Sequence, residues 1–590
     1  MPTISERYSG DSRMALQVQL TGGRPKEHLL SDEPRRLSLF QLFGLAAGGT
    51  IGSGWLLGAV DADHKAGNYA PWAWLIGGLV MLVVAGVMVE LGTAAPKTGG
   101  LIFLPLQSSG PLVAIVAAAG LWIFYAINAA SESVAMTKGL SSTLPTPLIG
   151  AGTTLTPWGW VCSLTLMAVI SATNLLVPRL VRIGNSWLTV LKVAVPLLTI
   201  ALFIASGFDH HHGGGARDGT SGAGGYGAVL AAVVDSGVIY AYVGFQGPLD
   251  FAGNVKTQGR LTESARLRWA VYGTIVGTTV LYTLLQIVFS SRQGQWDPGH
   301  PDSPYTQFAF ASSVAWLGWC LRINSVLSPM GAGLVFTHAL TREVAALGRA
   351  HLTHRGLQTM RTTTLRGRDV YWLVLAVDFA VGVVALLAMG GRWHTLVAAD
   401  GVLTLVVYAV PGVALVSLRD KLPPVSRSRN QARRHAAWVS FVLITLILYG
   451  AGWTVLWHGM AVLAVGCVLL LGFPVLARQF PTLGRFYDAR EHVTRFRRLG
   501  SDPAAQAAAC LLGMLALLLV CTLFGNPEPA TPHRLAFYLW GGGVAAMALA
   551  AFCGMVWASK RHIGEVEPLL PPPTSQLRER EQGRSREPQP

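Results

Sequence analysis

A chain of 590 residues that is 51% hydrophobic, only 13% charged and of mean hydropathy +0.45 carries too little polar surface to cover soluble cores. The formal net charge of +15 does not point to nucleic acid, because the basic residues lie between apolar stretches and form no single stripe. Cys162, Cys320, Cys467, Cys510, Cys521 and Cys553 all fall inside apolar segments, which excludes a disulfide framework and a zinc-ligand spacing.

Residues 1–37 are polar and lack the apolar stretch of a signal peptide, so they read as a disordered tail and the first span directs insertion. Apolar stretches of roughly 20 residues then recur, the length that carries a helix across a ~30 Å hydrocarbon layer. About fourteen are expected, near 38–60, 72–94, 108–136, 158–177, 187–206, 227–249, 270–290, 310–340, 370–389, 395–418, 437–456, 459–477, 506–524 and 535–557. A short turn at Trp457-His458 is expected to divide the eleventh from the twelfth. With the N-terminus in the cytoplasm, about 37 of the 45 Lys and Arg fall on cytoplasmic segments, as the positive-inside rule requires. Both termini are then cytoplasmic and the protein is a multi-pass protein of the plasma membrane. Residues 558–590, rich in Pro, Arg and Glu, read as a second disordered tail.

Two spans depart from plain Leu, Val and Ala. The first holds Gly48-Gly49-Thr50-Ile51-Gly52-Ser53-Gly54 at mid-membrane, a glycine density that lets a helix unwind. The sixth holds Tyr240-Ala241-Tyr242-Val243-Gly244-Phe245-Gln246-Gly247-Pro248. These are the first spans of two successive five-helix units, 38–206 and 227–418, the arrangement of inverted repeats around a midplane site. Amides at Gly52, Ser53 and Gly54, beside Thr50 and Ile51, are suited to a carboxylate. Carbonyls from Tyr240 through Ala241 and Tyr242 to Val243, next to Gly244, are suited to an ammonium group. Together they suit an α-amino acid. The competing explanation, small residues that only let helices pack closely, accounts for one glycine-rich helix better than for two matched ones.

Charged residues within spans are costly and face the interior by default. Glu132, in the third span, is read either as a proton relay or as half of a structural ion pair. Lys192, in the cytoplasmic third of the fifth, either couples to protons or snorkels to the inner surface. Asp235 lies in the outer part of the sixth, where water contact suffices. Arg322, near the middle of the eighth, needs an anion; Glu132, Asp235 or an acidic substrate side chain are the options, with Asn324 beside it. Asp378 and Asp400 carry no assigned role. Glu90 and Lys97 flank the inner end of the second span and are expected to stabilise the inner mouth. His210-His211-His212, in a glycine-rich outer loop, offers no closed metal site. No Walker A loop and no converging acid–base set is present, so neither ATP nor membrane-embedded catalysis is expected.

Gly49-Thr50-Ile51-Gly52-Ser53-Gly54, the block from Glu90 to Gly100 and Ala241-Tyr242-Val243-Gly244-Phe245 resemble the amino acid–polyamine–organocation (APC) transporters over about residues 38–420. The terminal spans beyond that region, Gly54-Trp55-Leu56 and Leu327-Ser328-Pro329 are similar to the branch that includes bacterial aspartate–proton symporters. The resemblance implies an all-α, LeuT-like bundle of five plus five inverted helices, followed by about four more at 437–557. It implies substrate at the two breaks and an aromatic gate at Tyr240. Lys192 matches a lysine that, in proton-coupled relatives, stands where sodium sits in sodium-driven ones. Asn254-Val255-Lys256 departs from the acidic residue common there, which puts the cytoplasmic gate in doubt. The expected activity is proton-coupled amino acid uptake by alternating access, with an amino acid/amine exchanger or a non-transporting sensor as alternatives. No cofactor beyond the proton gradient, no nucleic acid and no protein partner is expected; the partners are the amino acid and the lipid bilayer.

Overall fold

The computed structural model describes residues 37–566, apart from 97–99, 151–153, 177, 207–225, 251–261, 301, 313, 350–351, 354–356, 358–360, 364–367, 480–499 and 527–533. Lys97, the three histidines at 210–212 and Asn254-Val255-Lys256 lie outside these residues.

The fold is a helical bundle. In chain order the helices are α1 (Leu39–Thr50), α2 (Gly54–Ala66), α3 (Ala70–Ala94), α4 (Gly100–Ser109), α5 (Pro111–Leu140), α6 (Pro157–Leu176) and α7 (Pro178–Ala205). There follow α8 (Tyr226–Asp235), α9 (Val238–Tyr242), α10 (Gly247–Asp250), α11 (Glu263–Arg292), α12 (Pro304–Ala311) and α13 (Ala315–Arg349). After an antiparallel pair of three-residue strands, β1 (Arg361–Thr363) and β2 (Arg368–Val370), come α14 (Trp372–Ala388), α15 (Trp393–Ser417), α16 (Arg427–Gly450), α17 (Trp453–Gln479), α18 (Pro503–Gly525) and α19 (Arg534–Glu565). Helix falls on every one of the expected spans. Among the described residues, nine helical stretches are long and apolar enough by themselves to cross a membrane.

Burial sorts the helices into layers. The most apolar stretch of α15 is wholly buried and that of α5 nearly so, whereas those of α6, α17 and α19 are mostly open to the surroundings. Exposed Trp72, Trp158, Trp269 and Trp316 stand in the first two turns of their helices, where indole rings sit between hydrocarbon and water.

Boundaries follow local chemistry. Ser38 caps α1 reciprocally with Gln41, through bonds of 2.9 and 3.3 Å. Two expected boundaries are corrected. The turn between α16 and α17 lies at Ala451-Gly452, where Gly452 takes φ 84°, and Trp457 and His458 are inside α17. The eighth stretch is two helices, α12 and α13, so Arg322 lies in the second turn of α13 and not at mid-span.

Candidate functional site: where two broken helices meet

The first break runs through Ile51, Gly52 and Ser53, between α1 and α2. The second has two parts. Gly237 adopts φ 74° between α8 and α9, and Val243 and Gly244 (φ 118°) leave the helix between α9 and α10. The part at Gly237 has no counterpart in the sequence reading. The breaks touch directly: a β-carbon placed on Gly244 would lie 2.5 Å from the Gly49 carbonyl carbon, and one on Gly54 would lie 2.6 Å from the Ala241 β-carbon. Glycine is needed at 49, 54 and 244 because only backbone fits between these segments.

Backbone groups freed in a membrane must find protein partners. Around the first break they do. Lys192 Nζ donates to the Gly48 carbonyl at 2.6 Å, and the Tyr282 hydroxyl donates to that of Thr50 at 3.0 Å. The Ser328 hydroxyl lies 3.1 Å from the Ile51 carbonyl oxygen and 3.0 Å from that of Gly52. The Ser53 amide donates to the Glu132 carboxylate at 3.1 and 3.3 Å, and Trp393 Nε1 donates to Ser53 Oγ at 2.9 Å.

This arrangement has electrostatic order. The carbonyl end of α1 carries partial negative charge and faces a lysine; the amide end of α2 carries partial positive charge and faces a glutamate. Lys192 is fully buried with its amine turned to the break, so it does not snorkel. Glu132 is buried as well and accepts from the Tyr240 hydroxyl at 2.7 Å. Tyr240 also bonds Ser131 at 2.8 Å and accepts from Asn128 at 3.1 Å, which ties the sixth span's break to the third span.

The carboxylate that holds the Ser53 amide in this structure is the protein's own Glu132. In the second break the Tyr240 carbonyl accepts from the Val243 amide at 3.1 Å, so that carbonyl closes a turn. The Gly244 amide donates to Gln246 Oε1, which also accepts from the Tyr408 hydroxyl.

Arg322 stands apart from this centre. It forms a two-pronged pair with Asp302, at 3.0 and 2.7 Å, and lies over the rings of Phe310 and Trp319. Its partner is therefore neither Glu132 nor Asp235. Sequence reasoning missed Asp302 because it precedes the helix in a loop. Asn324 does face the centre: with Ser328 and Ala332 it makes an i, i+4, i+8 stripe, and Ala332 lies against Gly52. It is fully buried, and neither end of its amide has a hydrogen-bond partner among the described residues.

Water contact does not account for Asp235. It is 5% exposed and ion-paired with Lys65 at the end of α2 and with His394 at the start of α15, the latter at 3.0 Å. At the far end of the bundle Glu90 is gripped by Arg268, Arg429 and Arg433, at 2.9, 2.8 and 2.6 Å. On that side a small cavity of about 30 Å³ lies among Leu91, Leu101, Leu249, Asp250 and Pro411, enough for water. The Ser328, Tyr282 and Trp393 contacts were also missed. Ser328 stands in the Leu327-Ser328-Pro329 motif and shares the stripe with Asn324, but neither signal gave its contact with the break.

Comparison with known proteins agrees with this architecture. The chain is 28% identical over 469 residues to a glutamate/serine transporter, AimA, of Bacillus subtilis (strain 168), covering 77% of this chain and 84% of that one. It is 26% identical to an aspartate-proton symporter of the same organism, covering 72% and 81%. It is 24% identical to an L-asparagine permease of Streptomyces coelicolor (strain ATCC BAA-471 / A3(2) / M145), covering 58% and 68%. All three relatives bear the names of transporters or permeases, not of enzymes. The sequence profile of the amino acid permease family matches residues 37–484, and with its broken, touching first and sixth spans this chain belongs to that family.

Proposed function

We propose that this protein is a secondary active transporter that takes up a small amino acid together with protons, by alternating access. The observation that carries the proposal is the meeting of two unwound segments deep in the bundle, flanked by a lysine on a helix carbonyl end and a glutamate on a helix amide end. These polarities match an amino acid's ammonium and carboxylate groups. The two five-span units, 38–206 and 227–418, enclose the substrate, and the helices at 437–557 pack outside them. The termini face the cytoplasm, so the Lys65–Asp235–His394 cluster is the outer latch and the Glu90 cluster the inner one.

Lys192 and Glu132 are the coupling pair in this reading. The substrate carboxylate takes the Ser53 amide only when Glu132 lets go, and a protonated Glu132 is a weaker acceptor than a carboxylate. Substrate then binds among Thr50, Ile51, Gly52, Ser53 and Gly54 on one side and Tyr240, Ala241, Tyr242, Val243 and Gly244 on the other. The solutes named for the relatives (aspartate, glutamate, serine and asparagine) all have short polar side chains. Asn324, buried with both amide atoms unpartnered, is suited to read such a side chain.

The test is uptake of labelled amino acids into proteoliposomes under an imposed inside-alkaline gradient, with internal unlabelled amino acid as a separate arm. Gradient-driven accumulation from empty vesicles supports symport. Uptake that requires internal amino acid and ignores the gradient identifies an exchanger; binding with neither identifies a sensor.

A further inference from the structure

A second buried carboxyl group lies beside this centre. Asp400, on α15, is fully buried, and neither of its oxygens accepts a hydrogen bond from a described residue. One turn on, the hydroxyl of Thr404 is also buried and unpartnered. It does not make the usual bond back to the carbonyl one turn before it.

Helical phase shows where the two residues face. Trp393, Asp400, Thr404 and Tyr408 are spaced by seven, four and four residues and share one stripe of α15. Both ends of that stripe touch the breaks. Trp393 bonds Ser53 and packs edge-on against Tyr240, and Tyr408 bonds Gln246 and packs against Phe245. Asp400 lies between them, in electrostatic range of Tyr240 from the sixth span, Glu132 from the third and Tyr408 from its own helix. Asn128 of the third span, which donates to Tyr240, keeps a buried Oδ1 without a partner.

Lys192, Glu132 and Asp400 therefore differ in kind. Lys192 has a carbonyl acceptor; Glu132 has an amide and a hydroxyl donor. Among the described residues Asp400 has neither a donor nor a cation within bonding distance, and a bare carboxylate in such a place is costly. A neutral carboxyl group costs far less there, and a proton makes it neutral.

We infer that Asp400 is a further proton-binding residue, which takes up a proton when the site opens outward and releases it when the site opens inward. An O–H bond forms at a carboxylate oxygen with a proton from outer water, and the same bond breaks to return that proton to inner water. No electron or co-reactant is involved. Thr404, one turn on, and Asn128, bonded to Tyr240, are nearby polar groups with spare bonding capacity among the described residues. The inference rests on the proton-coupled reading above.

The experiment compares the purified full-length protein with Asp400→Asn and Asp400→Glu in proteoliposomes, with the membrane potential clamped. A pH dye and labelled amino acid give protons moved per substrate, and counterflow with amino acid on both sides gives transport without a gradient. The expected result is that Asp400→Asn keeps counterflow but moves one proton fewer per substrate. Each coupled proton multiplies accumulation by up to about tenfold per pH unit, so about that factor is lost per unit of imposed gradient. Asp400→Glu, which retains a carboxyl group, keeps the wild-type ratio. An unchanged ratio in Asp400→Asn overturns the inference, as does a Glu variant that behaves like the Asn variant. Loss of counterflow in Asp400→Asn also overturns it, by assigning the residue to substrate binding or to folding. Wild-type counterflow without any proton movement defeats the symport reading itself, and this inference with it.

Discussion

Gly244 and Gly49 meet backbone to backbone: a methyl group on Gly244 would sit 2.5 Å from the Gly49 carbonyl carbon, and one on Gly49 would sit 3.1 Å from the Gly244 α-carbon. Neither segment has a flexible side chain that could yield. The contact fixes the distance between the two breaks, and with it the width of the proposed binding site.

Gly244→Ala therefore strains a residue at φ 118° and pushes the two breaks apart. Overpacking of this kind costs about 1–3 kcal/mol, so uptake is expected to fall by roughly tenfold or more. Gly277→Ala is the control, because a β-carbon on Gly277 meets nothing within 4 Å. Initial uptake rates at matched protein density check both.

Glu132→Gln keeps the size of the side chain but puts a neutral acceptor on the Ser53 amide. A charge-assisted bond is about twice as strong as a neutral one, so the substrate carboxylate faces a weaker internal competitor. Substrate binding is expected to tighten several-fold and to depend less steeply on pH. Equilibrium binding of labelled amino acid across a pH series measures both effects.

Arg322→Met removes a guanidinium that is paired with Asp302 away from the breaks. The ratio of acidic to neutral amino acid uptake is expected to stay at the wild-type value. Stability is expected to fall by about 1–2 kcal/mol, because Asp302 loses its cation in a mostly buried setting. Competitive uptake and thermal unfolding separate the two outcomes; a selective loss of acidic substrate would return Arg322 to the site.

Asp235→Asn takes away the anion that Lys65 and His394 share. The adjoining ends of α2, α8 and α15 are expected to open more often, while the Glu90 end stays as it was. Hydrogen exchange resolved by peptide should show faster exchange near 61–66, 233–238 and 393–398, with the Glu90 end unchanged.

The first break and the Val243–Gly244 part of the second were legible in the sequence because glycine has a backbone consequence that needs no partner to read; the part at Gly237 was not. Lys192 and Glu132 were legible as buried charges for a similar reason: their cost in an apolar span does not depend on the neighbour. What each charge touches was not legible. Arg322 reaches a loop aspartate 20 residues earlier, Asp235 is shared by the ends of two other helices, and Glu90 draws arginines from α11 and α16. Such pairings depend on how helices are rotated and where they start, and a one-residue error in phase turns a side chain by about 100°. Asp400 shows the same gap: its span was found, but not its stripe with Trp393 and Tyr408.

The claim on which the account turns is that the amides opening α2, with Ser53 foremost, hold the carboxylate of the substrate. Counterflow in proteoliposomes, with a transported amino acid and its methyl ester as competing external ligands, measures this directly. The account predicts that the free amino acid competes and that the ester, which lacks the anionic group, fails to compete at concentrations about a hundredfold higher. An ester that competes as well as the free acid would contradict it.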